Sequence, residues 1–255
     1  VVRDQLLHQR CGRSWSGVPD LDWVVEGDAA ALVAELVTQV GSERISGVQE
    51  HGAFGTVAFQ LDGIPLDLAT ARQEHYPAPA ENPVVRAGTL EADLARRDFT
   101  INAMALDLVA GELIDLHHGQ EDLASGQIRF LHTGSVQDDP TRVIRAARYA
   151  ARLGFQLAKE SREQIRSTVA KWPWAWRQGD AALSAPPALA TRLRMELERL
   201  LEREPWPQAL DLLEQWEALP LLDVQLQQDP RRTERLRWAR RLGLPLMPAL
   251  LLGAV

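Results

Sequence analysis

At 255 residues the chain is long enough to bury a sizeable core and to hold two or three subdomains, and its 45% apolar and 25% charged residues are ordinary for a globular protein. No apolar run nears the roughly 18 residues of a membrane span, no signal-like apolar segment opens the chain, and Cys11 is the only cysteine, so a soluble, cytoplasmic protein without an internal disulfide is expected. A net charge of −7 argues against general affinity for nucleic acid, but position matters more than the sum: between residues 142 and 171 eight bases face only Glu160 and Glu163, a stripe able to bind a polyanion locally.

Val1 to Leu7 read as the start of a helix leaving a turn. Because the chain opens inside an element and ends on the apolar run Leu250 to Leu252, truncation at both ends is expected. Residues 10–18 read as loop, and Pro19 to Val25 as a short strand stopped by Gly27. On that strand Asp20 and Asp22 point the same way while Leu21 enters the core, their Cα atoms roughly 6.8 Å apart, two strand rises. Such a pair can share divalent cations whose other ligands are phosphate oxygens. An isolated Asp-x-Asp is more often a solvated pair at a strand entrance.

Asp28 is placed to N-cap a helix running to about Val40, with Gly41 as terminator. Residues 55–72 read as a hairpin: Val57, Phe59 and Leu61 alternate with polar or small residues, Asp62-Gly63 supplies the turn, and Ile64, Leu66 and Leu68 alternate back. That phase puts Asp67 on the face opposite Leu66 and Leu68. Residues 73–92 read as loop around Pro77, Pro79 and Pro83, and a helix is expected from near Thr100 to Leu108. From about residue 120 the periodicity is almost wholly helical, with prolines as punctuation, and the change from α/β to all-α falls near 115–125.

Two further stretches bear chemistry. In Asp93 to Ala105, two arginines and an acid precede Asn102; a guanidinium forks onto phosphate oxygens and a carboxylate accepts from ribose hydroxyls, although a capped helix with surface ion pairs fits the same residues. In Asp138 to Tyr149, Pro140 fits a first helical turn and Arg142, Arg145, Arg148 and Arg152 follow on one face. Asp139 and Arg142, three apart, can meet one planar edge. Cytosine and adenine both offer an amino donor beside a ring-nitrogen acceptor there, whereas uracil and guanine mismatch both contacts, at roughly 1–3 kcal/mol for each unpaired group. His117-His118 read as loop or packing residues, Trp172, Trp174 and Trp176 as a seal between helical parts or as base-stacking groups, and the arginines from Arg231 to Arg241 as solvated helix surface or RNA backbone contacts.

In this order the three stretches resemble the class II tRNA nucleotidyltransferases (CCA-adding enzymes) and the related bacterial poly(A) polymerases. Val2 to Leu7 resembles the end of the family's Gly-Gly-x-Val-Arg-Asp-x-Leu-Leu motif, Asp20 and Asp22 its metal pair, and Arg96 to Ala105 its ribose-selecting motif. Gly111 to Arg129 resembles its flexible element, Asp138 to Phe155 its amino-acid template, and Arg192 to Leu201 the helix-turn motif that follows. The resemblance implies an α+β, polymerase-β-like nucleotidyltransferase head (1–118), an all-α neck recognising the base (119–180) and an incomplete helical body binding RNA (181–255).

It further implies that Asp20 and Asp22 hold Mg²⁺, with Asp67 as a further catalytic acid or a simple exposed one. Arg3 would contact triphosphate, Arg97, Asp98 and Asn102 would bind phosphate and ribose, Asp139 and Arg142 would read the base, and Arg145 and Arg148 would brace the nucleotide. Partners would be the tRNA 3′ end, ATP and CTP, with no membrane and no protein partner implied. The expected reaction is template-independent CCA addition by two-metal transfer. The alternatives are A-only or CC-only addition, poly(A) synthesis, or a catalytically silent RNA-binding relic.

Overall fold

The computed structural model describes residues 21–52, 55–173, 186–223 and 226–252. The chain divides into two compact units, one of Val1–His75 and Pro83–Leu123, the other of Tyr76–Asn82 and Ala124–Val255.

The first unit is built on strands β1 (Leu21–Val25), β2 (Ile45–His51), β3 (Thr56–Leu61) and β4 (Ile64–Thr70), hydrogen-bonded in the order β1-β4-β3-β2. β1 runs parallel to β4 and the other pairs are antiparallel. Helix α1 (Ala29–Val40) covers one face, where Ala29 and Val33 pack with Ile45, Val57, Phe59, Leu66 and Leu68, flanked by Leu21, Trp23 and Val25. The helix starts where expected, because the Asp28 carboxylate accepts from the N–H groups of Ala30 and Ala31 at 2.9 and 3.2 Å. It stops at Gly41, whose φ of 96° suits a residue without Cβ. The β3–β4 hairpin turns on Asp62 (φ 51°) and Gly63 (φ 78°), both left-handed as a two-residue hairpin turn demands.

Two expectations are corrected here, and strand β2 lies where the sequence offered no reading. β2 carries no alternating apolar pattern, only Ile45 being buried, and it exists because β3 offers it an edge. Residues 73–92 are not loop throughout: β5 (Arg72–His75) pairs with β6 (Val84–Ala87), and helix α2 (Leu90–Ala95) follows, N-capped by Thr89. The helix expected from Thr100 to Leu108 is one 3₁₀ turn, Thr100–Asn102, after which strand β7 (Ala105–Leu106) pairs with β8 (Leu113–Ile114). Asp107 ends any helical run by taking the Val109 and Ala110 N–H groups on one side-chain oxygen, and Gly111 closes the turn at φ 71°. Helix α3 (Gly119–Ser125) is capped by Asp115, which spends both oxygens on the N–H groups of Gly119 and Gln120, at 2.7 and 2.9 Å.

The second unit is mainly helical: α4 (Ser135–Asp138), α5 (Thr141–Leu153), α6 (Lys159–Ala170), α7 (Pro187–Arg203), α8 (Trp206–Gln215), α9 (Arg232–Arg241) and α10 (Pro248–Leu252), plus the short parallel pair β9 (Gln127–Ile128) and β10 (Gln156–Leu157). α5 is its centre. Val143, Ile144, Ala146, Ala147 and Ala150 are buried, and it packs against α7 and α8. The Arg231–Arg241 cluster is not one solvated face. Arg232 is buried and pairs with Glu214, while Arg235 bonds Asp229 and the Leu250 and Leu251 carbonyls. Trp172 is buried; Trp174 and Trp176 lie outside the described residues. No helix among the described residues is long and apolar enough to cross a membrane.

Candidate functional site

Asp22 sits on β1 and Asp67 on β4, and the parallel register makes them direct cross-strand neighbours. Their flanking pairs, Leu21 with Leu66 and Trp23 with Leu68, point into the core, so the two carboxylates share the opposite face, away from α1. Adjacent strands are about 4.8 Å apart, which leaves the two acids within reach of one cation. On the far side of Asp67 the register partner is Ala58, whose methyl leaves the position open. Asp22 is exposed and Asp67 half-buried. Both donors are oxygen, the type a hard divalent cation takes. Among the described residues no group of three His, Cys, Asp or Glu side chains converges on a metal position. Asp20 and Arg3 lie outside the described residues.

The arginine–acid turn is organised by a residue the sequence reading left without a role. Asp93, 2% exposed, accepts from Arg96 Nε and Nη2 at 3.0 and 2.7 Å on one oxygen and from Arg97 Nη2 at 3.1 Å on the other. Burial alone would raise its pKa, but the charges and hydrogen bonds of Arg96 and Arg97 outweigh it and hold the carboxyl below its ordinary value. Arg96 also pairs with Glu74 at 3.0 Å, which Arg72 flanks at 3.1 Å, so Arg96 is locked between two acids. Arg97 remains more accessible, its side chain 36% exposed, with Nη1 donating to the Asn102 carbonyl at 3.2 Å. Asp98 is buried and oriented: its Oδ1 accepts from the Phe99 N–H at 2.9 Å and from Asn102 Nδ2 at 2.8 Å. Asn102 therefore braces both Arg97 and Asp98. Behind the turn, Thr100 Oγ1 donates to buried Asp122 at 2.7 Å.

In the second unit Asp139 and Arg142 open α5. Asp139 Oδ1 accepts from the Thr141 N–H at 3.1 Å and hydroxyl at 2.7 Å, and Arg192 Nη2 lies 4.0 Å from that oxygen. Arg192 also donates to the carbonyl of Ala80 at 2.8 Å, tying residues 76–82 to the same helix end. Arg142 is 5% exposed, and its Nη1 donates to Ser135 Oγ at 3.0 Å. Further along α5, Arg148 binds Glu196 and, at 3.1 Å, Glu204; Arg145 lies 3.6 Å from Glu196 and Arg152 3.2 Å from Glu204. Three arginines of the face that reads as a polyanion-binding stripe, Arg145, Arg148 and Arg152, are thus engaged by two carboxylates that α7 and its C-cap bring to it. Sequence spacing could have flagged Asp93, three and four residues before its arginines; nothing local signals Glu196 or Glu204, about fifty residues from their partners.

The fold class is that of the CCA-adding enzymes: a solved CCA-adding enzyme in an apo form superposes with a TM-score of 0.75 at 33% identity, over 94% of this chain and 52% of the other. Residues 1–129 match the family described as the poly A polymerase head domain, and the chain belongs to that family. Among curated relatives, the CC-adding tRNA nucleotidyltransferase of Deinococcus radiodurans is 39% identical over 236 residues, 88% of this chain and 56% of its own length. The A-adding tRNA nucleotidyltransferase of Aquifex aeolicus is 41% identical over 172 residues, 66% of this chain and 20% of its own. The chain spans between 17% and 56% of the curated relatives it matches.

Proposed function

We propose that the chain carries the nucleotide-adding site of a tRNA nucleotidyltransferase, extending the 3′ end of tRNA with C and A from CTP and ATP in the cytoplasm. The observation that supports this best is the in-register pair Asp22 and Asp67 on the open face of a mixed sheet. With Asp20 they would hold divalent metal, Mg²⁺ being the ion suited to carboxylate and phosphate oxygens. When bound, such ions neutralise the charge developing on the α-phosphate and activate the attacking 3′-hydroxyl. The protein's own work is positioning. Asp93 and the Asn102 carbonyl aim the Arg97 guanidinium for a phosphate, and Asn102 and the Phe99 N–H hold Asp98 as an acceptor for ribose hydroxyls. Arg3 would meet the triphosphate.

Base choice falls to Asp139 and Arg142, with Arg145 and Arg148 supporting the helix that presents them. In this reading residues 1–118 form the catalytic head, 119–180 the neck that reads the base and 181–255 part of the RNA-binding body. The relatives named A-adding and CC-adding support a second reading, in which the chain adds only part of the tail. Both are tested with tRNA transcripts ending before the tail, after CC, and with an unrelated RNA, each supplied with CTP or ATP. Full CCA addition supports the first reading, addition confined to one nucleotide the second, and extension of the unrelated RNA with A alone points to poly(A) synthesis. Arg142→Ala is expected to relax preference for C and A over U and G by roughly tenfold or more, the worth of one mismatched buried contact; an unchanged preference removes Arg142 from base reading.

A further inference from the structure

His132, which no motif singles out, borders Arg142. Its Nε2 lies 3.4 Å from Arg142 Nη1 and 3.8 Å from Asp138 Oδ2. The backbone there is pinned: the His132 N–H donates to Ser135 Oγ at 3.4 Å, and its carbonyl accepts from Gln164 Nε2 at 2.9 Å, while Gln164 Oε1 takes the Val136 N–H at 2.8 Å. Ser135 Oγ is thus shared between the His132 backbone and the Arg142 guanidinium. The charged groups acting on the imidazole are Arg142 from α5 and Asp138 from α4, and α6 contributes the neutral Gln164.

A guanidinium only donates, so Arg142 is hydrogen-bonded to this nitrogen only while the nitrogen is unprotonated. Once protonated, it would set two cations 3.4 Å apart, with Asp138 ready to receive the imidazolium instead. Although 41% of its side chain is exposed, partial burial and then the charge of Arg142 hold the His132 pKa below its ordinary value, with Asp138 opposing them. The neutral form is therefore favoured in the fold, and its contribution is present above the ordinary histidine range and lost as pH falls through the depressed value.

We propose that neutral His132 is a positioning residue for Arg142, fixing the guanidinium edge offered to the base and making nucleotide selection sensitive to pH. The proposal rests on the base-reading role given to Arg142 above. It differs from that role in what it predicts for the imidazole itself, so the two can fail separately.

The first test follows His132 titration by NMR in the full chain and in Arg142→Met. The imidazole is expected to titrate below the ordinary value in the parent and to move upward in the variant; equal titration overturns the proposal whatever the enzyme adds. The second compares CTP and ATP with UTP and GTP as substrates between pH 5.5 and 8. The parent's selectivity should begin to fall at the acid end, and carrying the profile below pH 5.5, through the depressed His132 value, should bring the loss towards about tenfold, a change worth about 1.4 kcal/mol. His132→Gln, which keeps a neutral acceptor at every pH, should give a flat profile, and His132→Lys, a fixed cation, should be less selective than the parent throughout. A His132→Gln profile that still falls with acid overturns the proposal. Loss of selectivity in Arg142→Ala without any response to the His132 variants sinks the positioning role alone; unchanged selectivity in Arg142→Ala sinks base reading, and with it the effect on selection.

Discussion

Asp93→Asn removes one formal charge from the buried knot under the arginine turn while keeping its size. The parent carboxylate takes two N–H donors from Arg96 on one oxygen and one from Arg97 on the other, all between 2.7 and 3.1 Å. Asparagine retains a single acceptor and turns its NH₂ toward a guanidinium that can only donate. Breaking a fully buried ion pair costs about 3–5 kcal/mol. Here Arg96 keeps Glu74 and the 36%-exposed Arg97 can hydrate, so the expected loss is about 2–3 kcal/mol, near the worth of one strong charge-assisted hydrogen bond. For a domain of this size that is a fall in Tm of about 5–10 °C. Because the carboxyl pKa is depressed in the fold, its stabilisation is present above the unfolded carboxylate value and disappears as pH falls through the folded one. Melts of parent and variant should therefore differ at pH 7 and converge in acid. A variant within about 0.5 kcal/mol of the parent at pH 7, or a gap that does not narrow as pH falls below the unfolded carboxylate value, would refute the assignment.

Gly119→Ala should be costly although the position lies at a helix start: an added Cβ would sit 2.4 Å from the Thr100 carbonyl and 2.9 Å from Met104 Cγ, and the backbone atom cannot step aside. A loss of about 1–3 kcal/mol by urea unfolding is expected, and a neutral result would mean that α3 is free to shift. Arg148→Met, at a side chain 12% exposed, strands Glu204 on the exposed Arg152 alone and should cost about 3 kcal/mol. Adding Glu204→Gln should recover much of that; no recovery would show that the loss came from packing instead.

How far the sequence carries depends on whether a segment's structure is set locally. α1 is legible because its cap, its apolar face and its stop all lie within Asp28 to Gly41, and the β3–β4 hairpin because Asp62-Gly63 fixes its register. β2 and β5 are not legible: Ser46 to Glu50 and Arg72 to His75 lack the alternation of a half-buried strand and are held by the edges they pair with. Thr100 to Leu108 misleads for the opposite reason. Its apolar residues are spaced for a helix, but the pairing of Ala105 and Leu106 with Ile114 and Leu113 wins. The same division runs through the site. The strand phase of Asp22 and Asp67 could be read from alternation, whereas their adjacency needed the β1–β4 register, which no local spacing gives. The locking of Arg96 by Glu74, and the meeting of Arg142 with His132, are likewise products of the folded chain.

The most direct test of the proposed metal-holding pair is single-turnover addition of a labelled nucleotide to a tRNA transcript lacking its 3′ tail, with the divalent ion titrated, in the parent, Asp22→Ala and Asp67→Ala. The account predicts Mg²⁺-dependent addition by the parent and a loss of at least about 10³-fold in each variant at unchanged melting temperature, since both carboxylates lie on the face away from the core. Variants that fold and still add nucleotide at near the parent rate would contradict it.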